Sequence, residues 1–529
     1  MSLHDPVAVR TLAERLVAIP SVSPDVAGEK RCAQALIESL PPGLEHGRWA
    51  TADGRPVVWA RVRGRTPRTL VLLGHCDTVG HDEYAALGAP AGAAIALDPA
   101  ALREWLTSQG AAREVSPTVE ADIAEEWRHP GTWMFGRGAL DMKSGLAAGV
   151  AALAALAERA GTLAGNVMLI VTPDEENLSE GMKAALEAIA LAERAGEFEL
   201  AGILNLDYVD APAAYRGAMG KTRVGLWILG RAAHASLPFE AIDAAQIGAE
   251  LALRATLALA LADLWEEQIG PPPVVLRLRD LKTRYDVQTA AEAMLELNVL
   301  AFTRAPEETL ERVRALALMA ILDVLRRRDA LRGEMKPAGG PRTVESTPAV
   351  LSFEELGRRV TWSIEQVLNA ALSEAASGAT DQGDWTAEVR ALAMRARLMG
   401  PAIVMRILPP QYPAVPPIDG PVSRAAAGVL GQEGLELRSF YPFITDASLL
   451  AGRVPPAGSK RTRLEIAASD PASPYPADRL LLGARGVDVV TLGPWGRDAH
   501  GLFERVHAPY AFERLPRLIA EVAQAALRV

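Results

Sequence analysis

Two hydrophobic patterns alternate along the chain. Short continuous apolar runs at 57–62, 69–74, 166–172, 201–206 and 487–492 have the length and composition of buried strands. Between them, apolar residues recur three and four apart. The first such stretch, 5–18, carries Val7, Leu12, Leu16 and Val17 on one face and stops at Ile19-Pro20. A second, 27–39, ends at Pro41-Pro42-Gly43, and further helices are predicted over 144–159 and 180–195. Strands and helices in alternation predict an α/β fold.

The order changes after Tyr215. A strand at 221–230, a helix at 241–264, strands at 274–287 and 293–302 and a helix at 306–327 read as a separate α+β unit. The pattern therefore divides the chain into 1–214, an inserted 215–334, and 335–529, with a linker at 335–349 containing Gly339-Gly340-Pro341. Extra helices are predicted at about 352–376 and 384–399, with no role assigned to them. Residues 402–408 return to a core strand where the first domain resumes, and a helix follows at 421–431. The Ala-, Gly- and Pro-rich segment 80–131 reads as a surface insertion with at least one helix, near 99–108.

At 529 residues, 49% hydrophobic and 23% charged, the chain has the size and balance of a multidomain globular enzyme. A net charge of −10 argues against a nucleic-acid partner. Cys32 and Cys76 cannot build a disulfide framework. The first residues lack an apolar signal-peptide core, and the Ala/Leu runs at 146–157 and 249–264 are short or broken by charge. A cytoplasmic protein without a membrane partner is expected.

The chemistry lies where the strands end. The run 69–74 stops at His75-Cys76-Asp77, whose first and third residues project to the same side of an extended backbone. Asp141 stands just before the helix at 144–159, where a helix cap is the plainer reading. The strand 166–172 runs into Pro173-Asp174-Glu175-Glu176, either a solvated loop or one metal ligand beside one base. The strand 201–206 meets Asp207, and 487–492 leads to His500. Capping explains any one of these. Five such segments, all bearing imidazole or carboxylate, are better explained by a divalent ion or a pair sharing a carboxylate, with zinc, cobalt and manganese all suited.

Four segments in order carry a resemblance: Gly74-His75-Cys76-Asp77-Thr78-Val79, Gly136-Arg137-Gly138-Ala139-Leu140-Asp141-Met142-Lys143, Pro173-Asp174-Glu175-Glu176, and Gly493-Pro494-Trp495-Gly496 through Ala499-His500. They resemble the M20 metallopeptidases, the group of aminoacylases, succinyl-diaminopimelate desuccinylases and glutamate carboxypeptidases. The length, Tyr285-Asp286-Val287-Gln288-Thr289 and Phe440-Tyr441-Pro442 through Thr445-Asp446-Ala447-Ser448 look like the arginine-utilisation (RocB-like) branch. The resemblance implies a zinc-peptidase-like catalytic domain, a mixed but mostly parallel sheet between helices, with 215–334 as an inserted α+β lid that often pairs two subunits. By the family pattern two divalent ions, zinc or else cobalt or manganese, share Asp141. His75 and Asp207 complete one site, Glu176 and His500 the other. Asp77 orients His75, Glu175 is the general base, and His234 in Gly230-Arg231-Ala232-Ala233-His234 donates to the developing oxyanion.

The implied activity is hydrolysis of an amide or peptide bond in a small N-acyl amino acid, dipeptide or related metabolite. The alternatives are an aminopeptidase, whose free α-amine would need an acid such as Asp210, Asp446 or Asp498, and a non-catalytic metal-binding protein. Many relatives carry Asn-Val-Ile-Pro in the lid followed by a carboxylate-gripping arginine. Here the segment is Asp286-Val287-Gln288-Thr289, and no basic residue follows until Arg304. Lys221, Arg231 and Arg284 are the candidate substitutes.

Overall fold

The computed structural model describes residues 5–109, 115–335, 347–360, 385–451 and 486–528. They form two compact units. One runs to Met219 and resumes at Pro413, and the other spans Gly220–Tyr412.

The first unit is built on an eight-stranded sheet. Its order is Glu45–Ala50, Pro56–Val62, Asn166–Thr172, Arg68–His75, Glu199–Asn205, Val489–Thr491, Ala213–Ala218 and Glu436–Tyr441. The middle four are mutually parallel, and the antiparallel pairings flank them. Asn166–Thr172 is buried at every position, and Arg68–His75 at every position after its first. That is why they read as continuous apolar runs: helices cover both faces of a parallel sheet. One covering helix, Ser144–Ala157, buries eleven residues and packs against Leu515–Ala526. The stretch Ala139–Ala157, nineteen residues of mean hydropathy 1.4, would span a bilayer by length and composition alone, yet 89% of it is buried inside the protein.

Because the four central strands run the same way, their carboxyl ends share one edge. Thr172, His75, Asn205 and Thr491 stand along it, so the polar residues that follow each strand converge. The insertion beside this edge is more ordered than its composition suggests. It contains helices Pro99–Gln109 and Pro117–Arg128 and a core of its own, in which Tyr84, Ile95, Leu102, Trp105 and Leu106 pack with Trp133 and Phe135.

The second unit holds a five-stranded sheet in the order Val274–Asp280, Glu292–Ala301, Gly220–Leu229, Ala402–Tyr412 and Ala349–Ser352. Side chains alternate across it. Val224, Leu226 and Ile228 meet helices Ala244–Ala255 and Pro306–Met335, while Trp227 lies in a cluster with Leu356, Val389 and Leu392 on the other face. The strand expected to return the chain to the catalytic domain thus belongs to this sheet, together with a short strand that the sequence pattern did not predict. Ala402–Tyr412 pairs antiparallel with Gly220–Leu229, and Ala349–Ser352 pairs parallel with it in turn. Of the expected extra helices, Phe353–Gly357 and Trp385–Arg395 are present, and 361–384 lies outside the described residues. Most of the expected linker, 336–346, also lies outside them.

Candidate metal centre

His75, Asp141, Glu176, Asp207 and His500, drawn from five separate stretches, come together at the carboxyl edge of the first unit's sheet. Ligand atoms of His75, Asp141 and Asp207 lie within 4.8 Å of one another, and so do those of Asp141, Glu176 and His500. Asp141 belongs to both groups. Its Oδ1 is 3.1 Å from His75 Nε2 and its Oδ2 is 3.0 Å from His500 Nε2. His500 Nε2 also lies 2.9 Å from Glu176 Oε1.

The segment Ala139–Lys143 presents Asp141. It is not a plain helix start, since Asp141 (φ −112°, ψ 97°) and Met142 (φ −134°, ψ 32°) leave the helical region. Gly138 precedes it at φ +77°, and a Cβ there would meet the Thr78 methyl carbon at 2.7 Å, so the turn requires glycine twice over. Gly493 is similarly constrained, because a Cβ would fall 1.9 Å from the Asp207 carbonyl oxygen. That lets the His500 loop pass beside the Asp207 strand end.

The Asp77 carboxylate accepts the N–H of Glu175 at 3.1 Å through one oxygen and that of Glu176 at 3.0 Å through the other. His75 Nδ1 lies 3.1 Å from the Asp77 carbonyl and 3.5 Å from its carboxylate. Asp174 secures the same turn from below. Buried, it accepts from Arg55 at 2.6 Å and Ser23 at 2.9 Å, and Arg55 in turn reaches the buried Glu29.

Burial alone would lower the His75 pKa, but hydrogen bonds to Asp141 and Asp77 hold it well above the ordinary imidazole value. The same contest, with Asp141 and Glu176 as partners, pushes His500 up to about 11. Asp141 is held below the usual carboxylate range because the two imidazoles outweigh its burial. Burial raises Glu176, reinforced by the neighbouring Asp141. Burial also lifts Asp207 well up, again with Asp141 beside it. Glu175 is raised well above the ordinary value by burial first, with His75 pulling down and Asp446, Glu176 and Asp207 pushing up. Among the described residues no hydrogen bond or ion pair reaches the Glu175 carboxylate. Crowded buried carboxylates that push one another's pKa upward, arranged around two imidazoles, form a donor set that divalent cations relieve. Nitrogen and oxygen ligands in this mix suit zinc, cobalt or manganese. The residues fit two ions.

The acids considered for an α-amine are otherwise engaged. Asp210 accepts from the Tyr215 hydroxyl, Asp498 pairs with Arg505, and the buried Asp446 accepts from Thr172 at 2.8 Å. His234 belongs to the second unit, where it is exposed and forms an isolated bridge with Gln288. The Ser236 N–H donates to its Nδ1 at 3.2 Å, so the neutral ring carries its proton on Nε2. Arg304 is buried against the Leu261 and Ala262 carbonyls and Asp263, and Arg231 donates to the Glu240 carbonyl. Lys221 lies 5.4 Å from the centre of the Tyr412 ring, and Arg284 is exposed.

Sequence reasoning did not single out the residues behind the ligands. Arg137 lies inside a quoted motif, and Glu504 follows His500 by four residues. Both are fully buried and ion-paired at 2.8 Å. A charged residue inside an otherwise Gly- and Ala-rich ligand segment was the available signal for Arg137.

A sheet with candidate ligands gathered at its carboxyl edge and a carboxylate shared between two imidazoles has the parts of a metallohydrolase. The chain belongs to the peptidase family M20/M25/M40, whose family model matches residues 117–485, more than half of the sequence. It is an enzyme of the metallopeptidase and amidohydrolase kind. It is similar to the uncharacterized protein YqjN of Bacillus subtilis (strain 168), 29% identical over 499 residues, covering 90% of this chain and 87% of YqjN. Protein RocB of the same organism is 25% identical over 494 residues, covering 87% and 82%. Among solved structures, a tripeptidase from Staphylococcus aureus subsp. aureus Mu50 superposes with a TM-score of 0.55 at 15% identity, covering all of both chains. The YXEP protein of Bacillus subtilis, described as a dinuclear metal binding peptidase from the M20 family, does so at 0.50 and 13%, covering 99% of this chain and 98% of that one. At these identities the likeness of structure speaks for the fold.

Proposed function

We propose that the first unit holds two divalent cations of the zinc, cobalt or manganese kind and hydrolyses an amide bond in a small N-acylated amino acid, dipeptide or related metabolite. The observation that carries this reading is the Asp141 carboxylate, divided between His75 and His500 and so common to two three-ligand groups. His75, Asp141 and Asp207 would hold one ion, and Asp141, Glu176 and His500 the other. Bound there, the ions supply Lewis acidity for a water and for the amide carbonyl. Glu175 takes a proton from the attacking water and returns it to the leaving nitrogen. Its carboxylate, without a hydrogen-bond partner among the described residues, is able to do both, and the clamp of Asp77 on its backbone keeps it in place. His234, with its proton on Nε2, would donate to the oxyanion, a role that rests on the resemblance to the family.

An N-acylated or otherwise blocked substrate is favoured over a free α-amine, because Asp210 and Asp498 already hold partners and Asp446 is buried. The likeness to RocB supports the branch suggested by the sequence. The test is elemental analysis of chelator-free protein loaded with zinc, cobalt or manganese, followed by hydrolysis assays on N-acetyl and N-succinyl amino acids beside unblocked dipeptides and tripeptides. About two ions per chain with turnover of blocked substrates supports the proposal. No ion after loading, or no turnover of either group of substrates, overturns it, and turnover confined to substrates with a free amine overturns the preference for blocked ones.

A further inference from the structure

The ligand segment Ala139–Lys143 leaves the helical path at Asp141 and Met142. Its amides therefore lack the acceptors a regular helix would give them, and buried amides need an acceptor from elsewhere. The N–H groups of Leu140 and Asp141 are met by one oxygen, Glu504 Oε1, at 3.1 and 3.3 Å. The other oxygen of the same carboxylate lies 2.8 Å from Arg137 Nη1. Glu504 has no exposed surface and Arg137 is 1% exposed, so neither is a solvated surface charge. Arg137 also pairs with Glu83 from the insertion. A fully buried carboxylate is costly unless it is paired and hydrogen-bonded, and here its partners are Leu140 and Asp141 of the segment and Arg137 just before it.

We infer that Glu504, held by Arg137, is the positioning residue of Asp141: it fixes the backbone so that one carboxylate oxygen faces His75 and the other faces His500. The inference rests on the proposed two-ion site. Glu504 touches neither substrate nor ion and acts through Asp141 alone. Removing it frees the segment to turn, and Asp141 then serves one imidazole at the expense of the other. Glu504 follows His500 by four residues, and its neighbour Arg505 donates to Asp122 of the insertion. The segment 80–131 therefore supports the metal ligands through Glu83 and Asp122 as well as covering the surface.

The experiment compares wild type, Glu504→Gln, Glu504→Leu and Arg137→Met as full-length protein. It measures zinc stoichiometry, zinc affinity by competition with a chromophoric chelator, the visible spectrum of the cobalt-loaded forms, and melting with and without metal. Glutamine keeps an acceptor oxygen for the two amides, so Glu504→Gln should retain two ions with affinity within about tenfold of wild type and a near-native cobalt spectrum. Glu504→Leu should lose about 10–100-fold in affinity for at least one ion and change the cobalt spectrum. Arg137→Met should fall between them, and it decides the matter if Glu504→Leu does not fold. A merely structural role would lower the melting temperature of chelated and loaded protein alike and leave affinity and spectrum unchanged, which would overturn the inference. A wild type that binds fewer than two ions would instead overturn the function reading on which the inference stands.

Discussion

Asp77 accepts the backbone N–H of Glu175 at 3.1 Å, across 98 positions of sequence. Its second oxygen takes the next N–H, that of Glu176. The loop that bears His75 is thereby fastened to the turn that carries the proposed base and a proposed ligand. Asp77→Asn keeps one acceptor oxygen but turns an amide N–H toward another N–H. We expect kcat to fall about 10–100-fold, the range seen when a group supporting metal ligands is removed. Steady-state kinetics on the best blocked substrate check this, and an unchanged kcat would remove Asp77 from the machinery.

Glu175→Gln should leave two ions bound while activity falls about 10²–10⁴-fold, because the variant can still fill space but cannot take a proton. Elemental analysis beside the assay separates loss of the base from loss of the metal. Full activity in this variant would rule out Glu175 as the base.

Metal loading should release protons. In the metal-free protein burial opposes protonation of His75 and His500, but their carboxylate partners prevail and carry His500 to about 11. His500 is therefore charged at pH 7, whereas metal binding needs its ring neutral. At least about one proton per chain should therefore appear on zinc binding at pH 7, read as buffer-dependent heats in calorimetry, and apparent affinity should rise with pH. The sign for stability is opposite. A raised histidine pKa contributes stability that is complete below 6.5 and lost as pH rises through about 11, so metal-free protein should melt lower at pH 10 than at pH 7. Heats independent of buffer would contradict the charged ring.

Gly138→Ala places a Cβ at φ +77° and 2.7 Å from the Thr78 methyl carbon. A cost of about 1–3 kcal/mol is expected from the left-handed backbone and the clash, read as a melting temperature lowered by a few degrees. An unchanged melting temperature would mean that the turn before Asp141 relaxes freely.

Much of the site was legible because parallel strands announce themselves. Runs such as Leu70 to Leu73 are apolar at every position, and the abrupt change to His75, Glu175 or Asp207 marks the carboxyl end where ligands gather. The pairing partner of a strand leaves no such trace. The first four residues of Ala402–Tyr412 are as apolar as a central strand of the first sheet, yet the strand lies against Gly220–Leu229 in the second, because apolar content records burial and is silent on which neighbour provides it. Arg137 and Glu504 were passed over for a related reason. A buried ion pair spans 367 positions, and nothing local to either residue signals the other.

The strand Val489–Thr491 lies between Glu199–Asn205 and Ala213–Ala218, which are near neighbours in sequence but are joined in the sheet only through it. On the ribosome those two strands exist long before the piece that fits between them. Until roughly residue 491 has emerged, the growing chain carries a slot in its sheet with unpaired edges on both sides, and His500 and Glu504 arrive later still. Of the two candidate ligand groups, the one with Asp141 and Glu176 stays incomplete until His500 is made, and a chain halted shortly before residue 491 would expose backbone edges primed for the wrong partner.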